Sequence, residues 1–250
     1  MKIFMTNRNL VTWPKTMIEK FANENHEITI IDCNSTYVPL LDYYSTCGLE
    51  VIRLPNNGGH ALWTTGITEN LNEPFVNTDP DYDLSSIPSD WDQVLLEGLK
   101  QFPQYNKFGF SWDESKVPPE NPAWIEDNFV NHPNGLPQLW GEQVKMPNNW
   151  YRYANDSSFA VQRPHSQDEI GGIRKGRPYT GTHLPWHLTL EPSKDPTKRY
   201  VLWDDEIAYY FLTCENSSHT WGRMVKYGVT EEYLKLHNKT KEWILKEYGI

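Results

Sequence analysis

The first hundred residues alternate between two hydrophobic rhythms. Runs of four to six apolar or β-branched positions are separated by stretches in which apolar residues recur every three to four positions. The first rhythm is that of buried strands and the second that of amphipathic helices. Lys2–Thr6 reads as a strand, and Thr12 opens a helix to Asn23 with Pro14 tolerated in its first turn. Glu27–Asp32 is a buried-type strand, Tyr37–Thr46 a second helix behind Thr36, and Leu49–Leu54 a third strand. A loop at Asn56-Asn57-Gly58-Gly59 precedes a short helix from His60 to Gly66, then a fourth strand at Pro74–Thr78. This β-α-β-α-β order predicts a mainly parallel sheet with helices on both faces.

Beyond residue 90 the pattern loosens. Trp91–Phe102 reads as a helix and Asn106–Ser111 as a strand. Residues 112–150 are rich in Pro, Asn and Trp without clear periodicity, and loops of that length are often functional. Trp150–Ala154 and Ser158–Gln162 resemble strands, Gly171–Pro178 a mobile Gly/Arg-rich loop, and Asp204–Cys214 a helix. A single amphipathic helix is expected over Thr230–Tyr248, stopped by Gly249. The chain of 250 residues suits one α/β domain, with residues 1–111 forming one half and 112–250 a loop-rich second half.

Charge and composition narrow the function. A net charge of −10 argues against a nucleic-acid or anionic-membrane binder, while leaving room for a nucleotide held through a metal. No run approaches membrane-spanning length. The first residues turn polar too soon for a signal peptide, and three scattered Cys fit neither a disulfide framework nor a zinc site. A reduced, cytoplasmic setting is the expectation. Of the 11 Trp, Trp112, Trp124, Trp140, Trp150, Trp186 and Trp221 are available to stack on sugar faces, although core anchoring is the commoner use of Trp.

Polar residues gather behind each of the first four strands: Thr6-Asn7-Arg8-Asn9, Asp32-Cys33-Asn34-Ser35-Thr36, Arg53 to Gly59, and Thr78-Asp79-Pro80-Asp81. In an open α/β sheet these strand ends share one crevice, where ligands bind. Two carboxylates in Asp79-Pro80-Asp81 can hold Mg²⁺ or Mn²⁺, although Asp and Pro are also ordinary turn residues.

Taken in order, these pieces resemble the GT-A glycosyltransferases, particularly the family-2-like members of bacteria and large viruses. The resemblance rests on Asn-Arg-Asn, Ile-Asp-Cys-Asn-Ser-Thr, Arg-Leu-x-x-Asn-x-Gly, Thr-Asp-Pro-Asp, Ser-Phe-Ala-Val-x-Arg-Pro and His-Leu-Pro-Trp. It covers most of the chain, and residues 112–150 least. It implies a GT-A (Rossmann-like) fold and a metal-dependent enzyme that moves a sugar from a UDP- or GDP-sugar donor to a glycan or other hydroxyl acceptor. It gives Thr6, Asn7 and Arg8 to the nucleoside and phosphate pocket. Asp32 would face the base N–H groups, Arg53 and Asn57 would hold base or ribose, and Gly58 would admit the backbone closely. Asp79 would serve ribose and metal, Asp81 would ligate Mn²⁺ (or Mg²⁺), and His183 would complete the metal site. Arg174, Lys175 and Arg177 would close over phosphate, or form a solvated basic loop.

An inverting reaction needs a carboxylate to deprotonate the acceptor. Asp156 and the acidic run Asp204-Asp205-Glu206, with Asp205 at its centre, are the candidates. Three acids opening a helix are equally suited to its dipole. The usual acidic motif with Gly and Trp neighbours is missing, so inverting and retaining chemistry both stay open. Two other classes remain: a carbohydrate-binding, lectin-like protein, and an inactive glycosyltransferase-like scaffold. A sugar-1-phosphate nucleotidylyltransferase is disfavoured, because the first strand is followed by Thr-Asn-Arg-Asn and no glycine.

Overall fold

The computed structural model describes residues 1–56, 61–113, 117, 144–154, 159–166, 171–192, 194, 195, 197, 200–213 and 229–249. The amino-terminal half follows the expected alternation. Strands β1 (Lys2–Asn7), β2 (Glu27–Cys33), β3 (Glu50–Leu54) and β4 (Phe75–Thr78) are interleaved with helices α1 (Thr12–Asn23), α2 (Val38–Thr46) and α3 (Ala61–Thr64). A two-residue strand β5 (Tyr82–Asp83), helix α4 (Trp91–Gln101) and strand β6 (Lys107–Trp112) come next. The second half supplies β7 (Val144–Met146), β8 (Trp150–Ala154), β9 (Ala160–Gln162), β10 (Gly171–His183), β11 (Leu188–Thr189) and β12 (Val201–Leu202). Helices α5 (Asp205–Thr213), α6 (Val229–Leu236) and α7 (Lys241–Tyr248) close the described chain.

The main sheet runs β3-β2-β1-β4-β9-β6-β10-β8-β7, with β5 paired to β10. Strands β1 to β4 are mutually parallel and β6 is parallel to β10. Strand β9 is inserted antiparallel between β4 and β6, and β8 and β7 extend the far edge antiparallel. The architecture is therefore the expected α/β one, a large sheet flanked by helices. Alternation along the strands buries both faces. Ile3 and Met5 of β1, with Ile28 and Ile30 of β2, pack under α1 and α4. Phe4, Ile31 and Cys33 face the other way, onto Ala61 and Leu62 of α3. Period-two alternation between two apolar sides is what a sheet covered on both faces requires. Phe21, Trp91, Phe110 and Phe159 pack with ring centroids 5.0–5.2 Å apart where neighbours meet, and each buried ring is worth about 1.5–3 kcal/mol.

Two expected elements are corrected. Gly171–Pro178 is not a mobile loop. It is the first part of β10, paired on one side with β6 and on the other with β8. A strand with partners on both edges gains its stability from the ladder, so its Gly-rich composition hid it. Thr230–Tyr248 is two helices. Asn238 takes a left-handed φ of 54°, and Thr240 then caps α7 by accepting a hydrogen bond from the Trp243 amide at 3.1 Å. Among the described residues, no helix is long and apolar enough to cross a membrane.

The carboxyl-terminal helices are fastened to the strand ends through polar groups. Helix α1 has no capping side chain of its own at Val11. Glu206, from the first turn of α5, substitutes. Its Oε1 accepts from the Val11 and Thr12 amides at 2.7 and 2.9 Å, and its Oε2 from the Thr12 hydroxyl at 2.8 Å. Burial pushes the Glu206 carboxyl above its usual pKa, with the Thr12 and Val11 amides opposing. A second buried cluster, including Leu10, Val11, Tyr37, Ile207, Tyr209 and Ile244, packs α5 and α7 over the amino ends of α1 and α2. Glu206→Ala strands three donors and is expected to cost about 2–4 kcal/mol, read as a lowered urea midpoint at unchanged m-value.

Candidate functional site

The strand ends present two groups of side chains. The first is a row across β1, β2 and β3, where register places Asn7 beside Asp32 and Asp32 beside Arg53. Asp32 is fully buried, and its carboxylate already has four donors. Oδ2 accepts from the Ser35 amide at 3.1 Å and from Arg53 Nε at 3.1 Å. Oδ1 accepts from the Ser35 hydroxyl and from Tyr44 Oη at 3.2 Å. A base N–H has to displace one of these to reach it. Arg53 also donates to the Ser35 carbonyl at 2.8 Å, and its side chain is half exposed. Tyr44 joins Asn7 to Asp32, since Asn7 Nδ2 donates to its oxygen at 3.0 Å. Burial, and then the Asp32 carboxylate, push the Tyr44 hydroxyl well above its usual pKa, so it stays a donor.

Asn9 explains much of the Asn-Arg-Asn opening. It sits at a left-handed φ of 52° and is fully buried. Its Oδ1 accepts from the Thr36 and Tyr37 amides at 2.7 and 3.0 Å, capping α2. Asn is one of the few side chains that tolerate this backbone and cap a helix. Arg8, between them, donates from Nη2 to the Thr213 carbonyl at the end of α5, at 2.9 Å. Its Nε and Nη1 are buried without a hydrogen-bond partner, as is Asn7 Oδ1. Thr6 is half-buried on the same strand.

The second group is built by β5 and β10. Their antiparallel pairing sets Tyr82 opposite His183 and Asp83 opposite Thr182. Asp81, one residue earlier, therefore meets His183, with Nε2 and Oδ2 separated by 3.4 Å. The Asp81 carbonyl accepts from the Leu184 amide at 2.9 Å and fixes the approach. Gly181 permits it, because a Cβ there would lie 2.5 Å from the Tyr82 ring. That ring is fully buried, with its hydroxyl donating to the Ser111 carbonyl at 3.1 Å. Asp81 is 5 % exposed, and its Oδ1 and the His183 Nδ1 are buried without hydrogen-bond partners. Trp186 stands edge-on to the imidazole, centroids 4.5 Å apart, and Trp112 lies 6.3 Å away. The buried Arg174 guanidinium stacks on Trp112 at 4.0 Å and donates to the Phe110 carbonyl at 2.9 Å.

Of the expected metal ligands, then, the structure brings Asp81 and His183 together. Asp79 is half-buried, its carbonyl accepting from the Thr78 hydroxyl at 3.0 Å, and no third His, Cys, Asp or Glu completes a cluster among the described residues. Asn57, Gly58 and Asp156 lie outside the described residues. Arg174, Lys175 and Arg177 are strand residues of β10, not parts of a closing loop. Lys175 Nζ donates to the Asn148 carbonyl at 2.7 Å, and Arg177 pairs with Asp113 at 3.0 Å. Trp112 and Arg174, expected to meet sugar and phosphate, stack on each other, and Tyr44 had no place in the expected site. The sequence signal for Tyr44 was only its position inside an amphipathic helix.

The acidic run divides into three structural tasks. Asp204 Oδ1 accepts from the Ile207 amide at 2.9 Å at the start of α5. Glu206 caps α1. Asp205 binds Lys239 through both oxygens at 2.6 Å and accepts from the Tyr233 and Tyr248 hydroxyls at 2.7 and 2.9 Å. It is a tie between α5, α6 and α7.

No protein-family model and no curated protein matches the chain. Among solved structures, a CMP:2-keto-3-deoxy-manno-octonic acid synthetase complexed with CTP is similar at 13% identity and a TM-score of 0.32. The match covers 43% of this chain and 50% of the synthetase, and a likeness of that degree bears on neither fold nor activity.

Burial pushes the Asp205 carboxyl upward, but Lys239 and the two tyrosine hydroxyls outweigh it and hold the pKa below the usual 3.8. A carboxylate depressed in the folded state contributes stability that is present above its unfolded pKa. That stability is lost as pH falls through the folded value. Asp205→Asn is expected to cost about 1–2 kcal/mol at neutral pH. In urea titrations the gap from wild type should hold steady above pH 5, a pH on the order of one unit over the free carboxylate, and close below 3.8.

Proposed function

We propose that this chain is a metal-dependent glycosyltransferase that moves a sugar from a nucleotide-sugar donor to a hydroxyl acceptor. The observation that carries the reading is the Asp81–His183 pair. A separation of 3.4 Å is long for a hydrogen bond, which runs from about 2.7 to 3.2 Å. It suits two neighbouring ligands of one ion: bonds of about 2.1 Å at octahedral to tetrahedral angles set donors roughly 3.0–3.4 Å apart. One carboxylate and one imidazole form a mixed O/N donor set that suits Mn²⁺. The far atoms of the two groups, Asp81 Oδ1 and His183 Nδ1, are buried without a hydrogen-bond partner in the protein.

When bound, the ion supplies Lewis-acid neutralisation of the leaving diphosphate. Two side chains cannot fill such a coordination shell, which leaves room for diphosphate and water oxygens. Arg8 supports the same reading from the end of β1, where its unpartnered Nε and Nη1 can donate to a phosphate oxygen. Arg53, half exposed and anchored by Asp32, offers its remaining guanidinium donor to base or ribose. Asp32 serves by holding Arg53 and the Ser35 turn, a positioning task in place of direct contact with the base. Asp156 is the proposed carboxylate for the acceptor hydroxyl, since Asp205 is committed to Lys239.

The test is calorimetric titration of UDP, GDP, dTDP and CMP, each with Mn²⁺ and again with EDTA. Binding of one nucleoside diphosphate only with metal is expected, weakened at least about tenfold, or about 1.4 kcal/mol, by Asp81→Asn and by His183→Ala at unchanged circular dichroism. No binding to any of the four by folded protein shifts the reading to a lectin-like protein or an inactive scaffold. Binding with undiminished metal dependence in Asp81→Asn removes Asp81 from the site.

A further inference from the structure

Helix α5 brackets the connection from β1 to α1 with both of its ends. Its first turn reaches the Val11 and Thr12 amides through Glu206, and its last residue, Thr213, reaches Arg8 and Asn9. Thr213 uses both of its oxygens. Its carbonyl accepts from Arg8 Nη2 at 2.9 Å, and its hydroxyl accepts from Asn9 Nδ2 at 2.8 Å. The hydroxyl proton points back along the helix, toward the Tyr209 carbonyl at 2.9 Å and the Tyr210 carbonyl at 3.2 Å. The last carbonyls of a helix have no partner within it and carry its negative end, so a guanidinium is well placed there. Asn9 passes the anchor on. Its backbone N–H donates to Ser35 Oγ at 3.0 Å, the Ser35 hydroxyl donates to Asp32, and Asp32 accepts from Arg53 Nε at 3.1 Å. The hydroxyl of Thr213 thus heads a hydrogen-bonded chain that ends on Arg53, while the carbonyl of the same residue holds Arg8.

We propose that Thr213 is a positioning residue that sets two guanidinium groups, Arg8 and Arg53, for one bound diphosphate ligand. This role rests on the nucleotide reading of Arg8 and Arg53. Both Thr213 oxygens are spent on protein groups, so the residue acts through Arg8 and Asn9 and not by contact with a ligand. A guanidinium is a planar fork of donors, and tying Nη2 to a fixed carbonyl narrows the directions open to Nε and Nη1. A free arginine loses rotamer freedom when it grips a phosphate. An anchored one has lost it already, and the difference appears as affinity. Asn9 is set in the same way. Its Nδ2 must face Thr213 for its Oδ1 to accept from the Thr36 and Tyr37 amides at 2.7 and 3.0 Å. A methyl in place of the Thr213 hydroxyl leaves Asn9 Nδ2 against hydrocarbon. It also removes the bond back to Tyr209, which loosens the last turn of α5 and the carbonyl that holds Arg8.

Three variants test the role. Thr213→Val keeps the shape and removes the hydroxyl, Thr213→Ala removes it without setting a methyl against Asn9, and Thr213→Ser keeps it. Two readouts separate positioning from stability, each taken where circular dichroism shows every variant folded. One is hydrogen exchange at the Thr36 and Tyr37 amides, which report on Asn9. The other is calorimetry with UDP, GDP and inorganic pyrophosphate, each with Mn²⁺; pyrophosphate carries the diphosphate without base or sugar. In Thr213→Val and Thr213→Ala, exchange at the two amides is expected to quicken at least about fivefold, and manganese pyrophosphate to bind at least about fivefold more weakly. Thr213→Ser should return both to within about twofold of wild type. Pyrophosphate binding that survives Thr213→Val and Thr213→Ala overturns the inference and leaves the proposed function standing. Unchanged exchange at both amides overturns it too, as does a loss that Thr213→Ser shares. If folded wild type binds neither manganese pyrophosphate nor UDP nor GDP, the proposed function falls and the diphosphate role of Thr213 falls with it.

Discussion

The carboxyl ends of the parallel strands are covered by helices from the far end of the chain, so every polar group at that edge must find a partner. An unpaired buried donor or acceptor costs about 1–3 kcal/mol. The chain meets much of the demand with side chains distant in sequence. Glu206 caps α1 across 194 residues to the Thr12 amide, Asn9 caps α2, and Asp32 gathers Ser35, Tyr44 and Arg53. These bonds orient the first turns of α1 and α2 and hold α5 against the strand ends. The position of Arg8 follows from them, because its anchor is the Thr213 carbonyl at the end of α5.

A second dependence runs through β10. Its early residues pair with β6 and β8, and its last residues turn to pair with β5. The ladder to β6 shifts register between Lys175 and Thr180, which lets one strand serve both neighbourhoods. Gly181 lies against Tyr82, and that contact sets how near His183 comes to Asp81. The candidate metal pair thus depends on a glycine, a buried tyrosine and a register shift, none of which carries the chemistry.

These dependences explain what the sequence disclosed. The first three strands and first two helices were legible because each contains its own periodicity; the meeting of Asp81 and His183 was expected only through a resemblance, and Asp79 forms no three-residue cluster with them among the described residues. Strand β10 was not, because its stability comes from two flanking ladders and a guanidinium buried on Trp112. The acidic run was ambiguous for a related reason. Asp204, Asp205 and Glu206 are adjacent and chemically alike, yet one starts its own helix, one binds Lys239, and one caps α1. Their partners lie 3, 34 and 195 residues away, so local sequence cannot separate them. Asp32 was expected to face a base, and only the structure shows that Ser35, Tyr44 and Arg53 already bond its carboxylate.

Against that background of satisfied groups, the exceptions carry information. Arg8 keeps two buried nitrogens without a partner, and Asp81 and His183 each keep a buried atom without one. Other buried atoms, Asn7 Oδ1, Asn77 Oδ1 and Gln162 Nε2 among them, also lack a partner; what sets Arg8, Asp81 and His183 apart is that they can hold an ion. Buried unpaired groups call for an explanation, and an ion or ligand is one that fits groups of this kind. The two demands are opposite in sign. Arg8 calls for an anion, while Asp81 beside the His183 imidazole calls for a cation. A diphosphate alone answers the first and repels the second, and a divalent ion alone does the reverse. A metal–diphosphate carries both charges in one ligand, so the proposed nucleotide-sugar reading requires Arg8 and Asp81 to act on one bound molecule, which a simple sugar-binding protein would not.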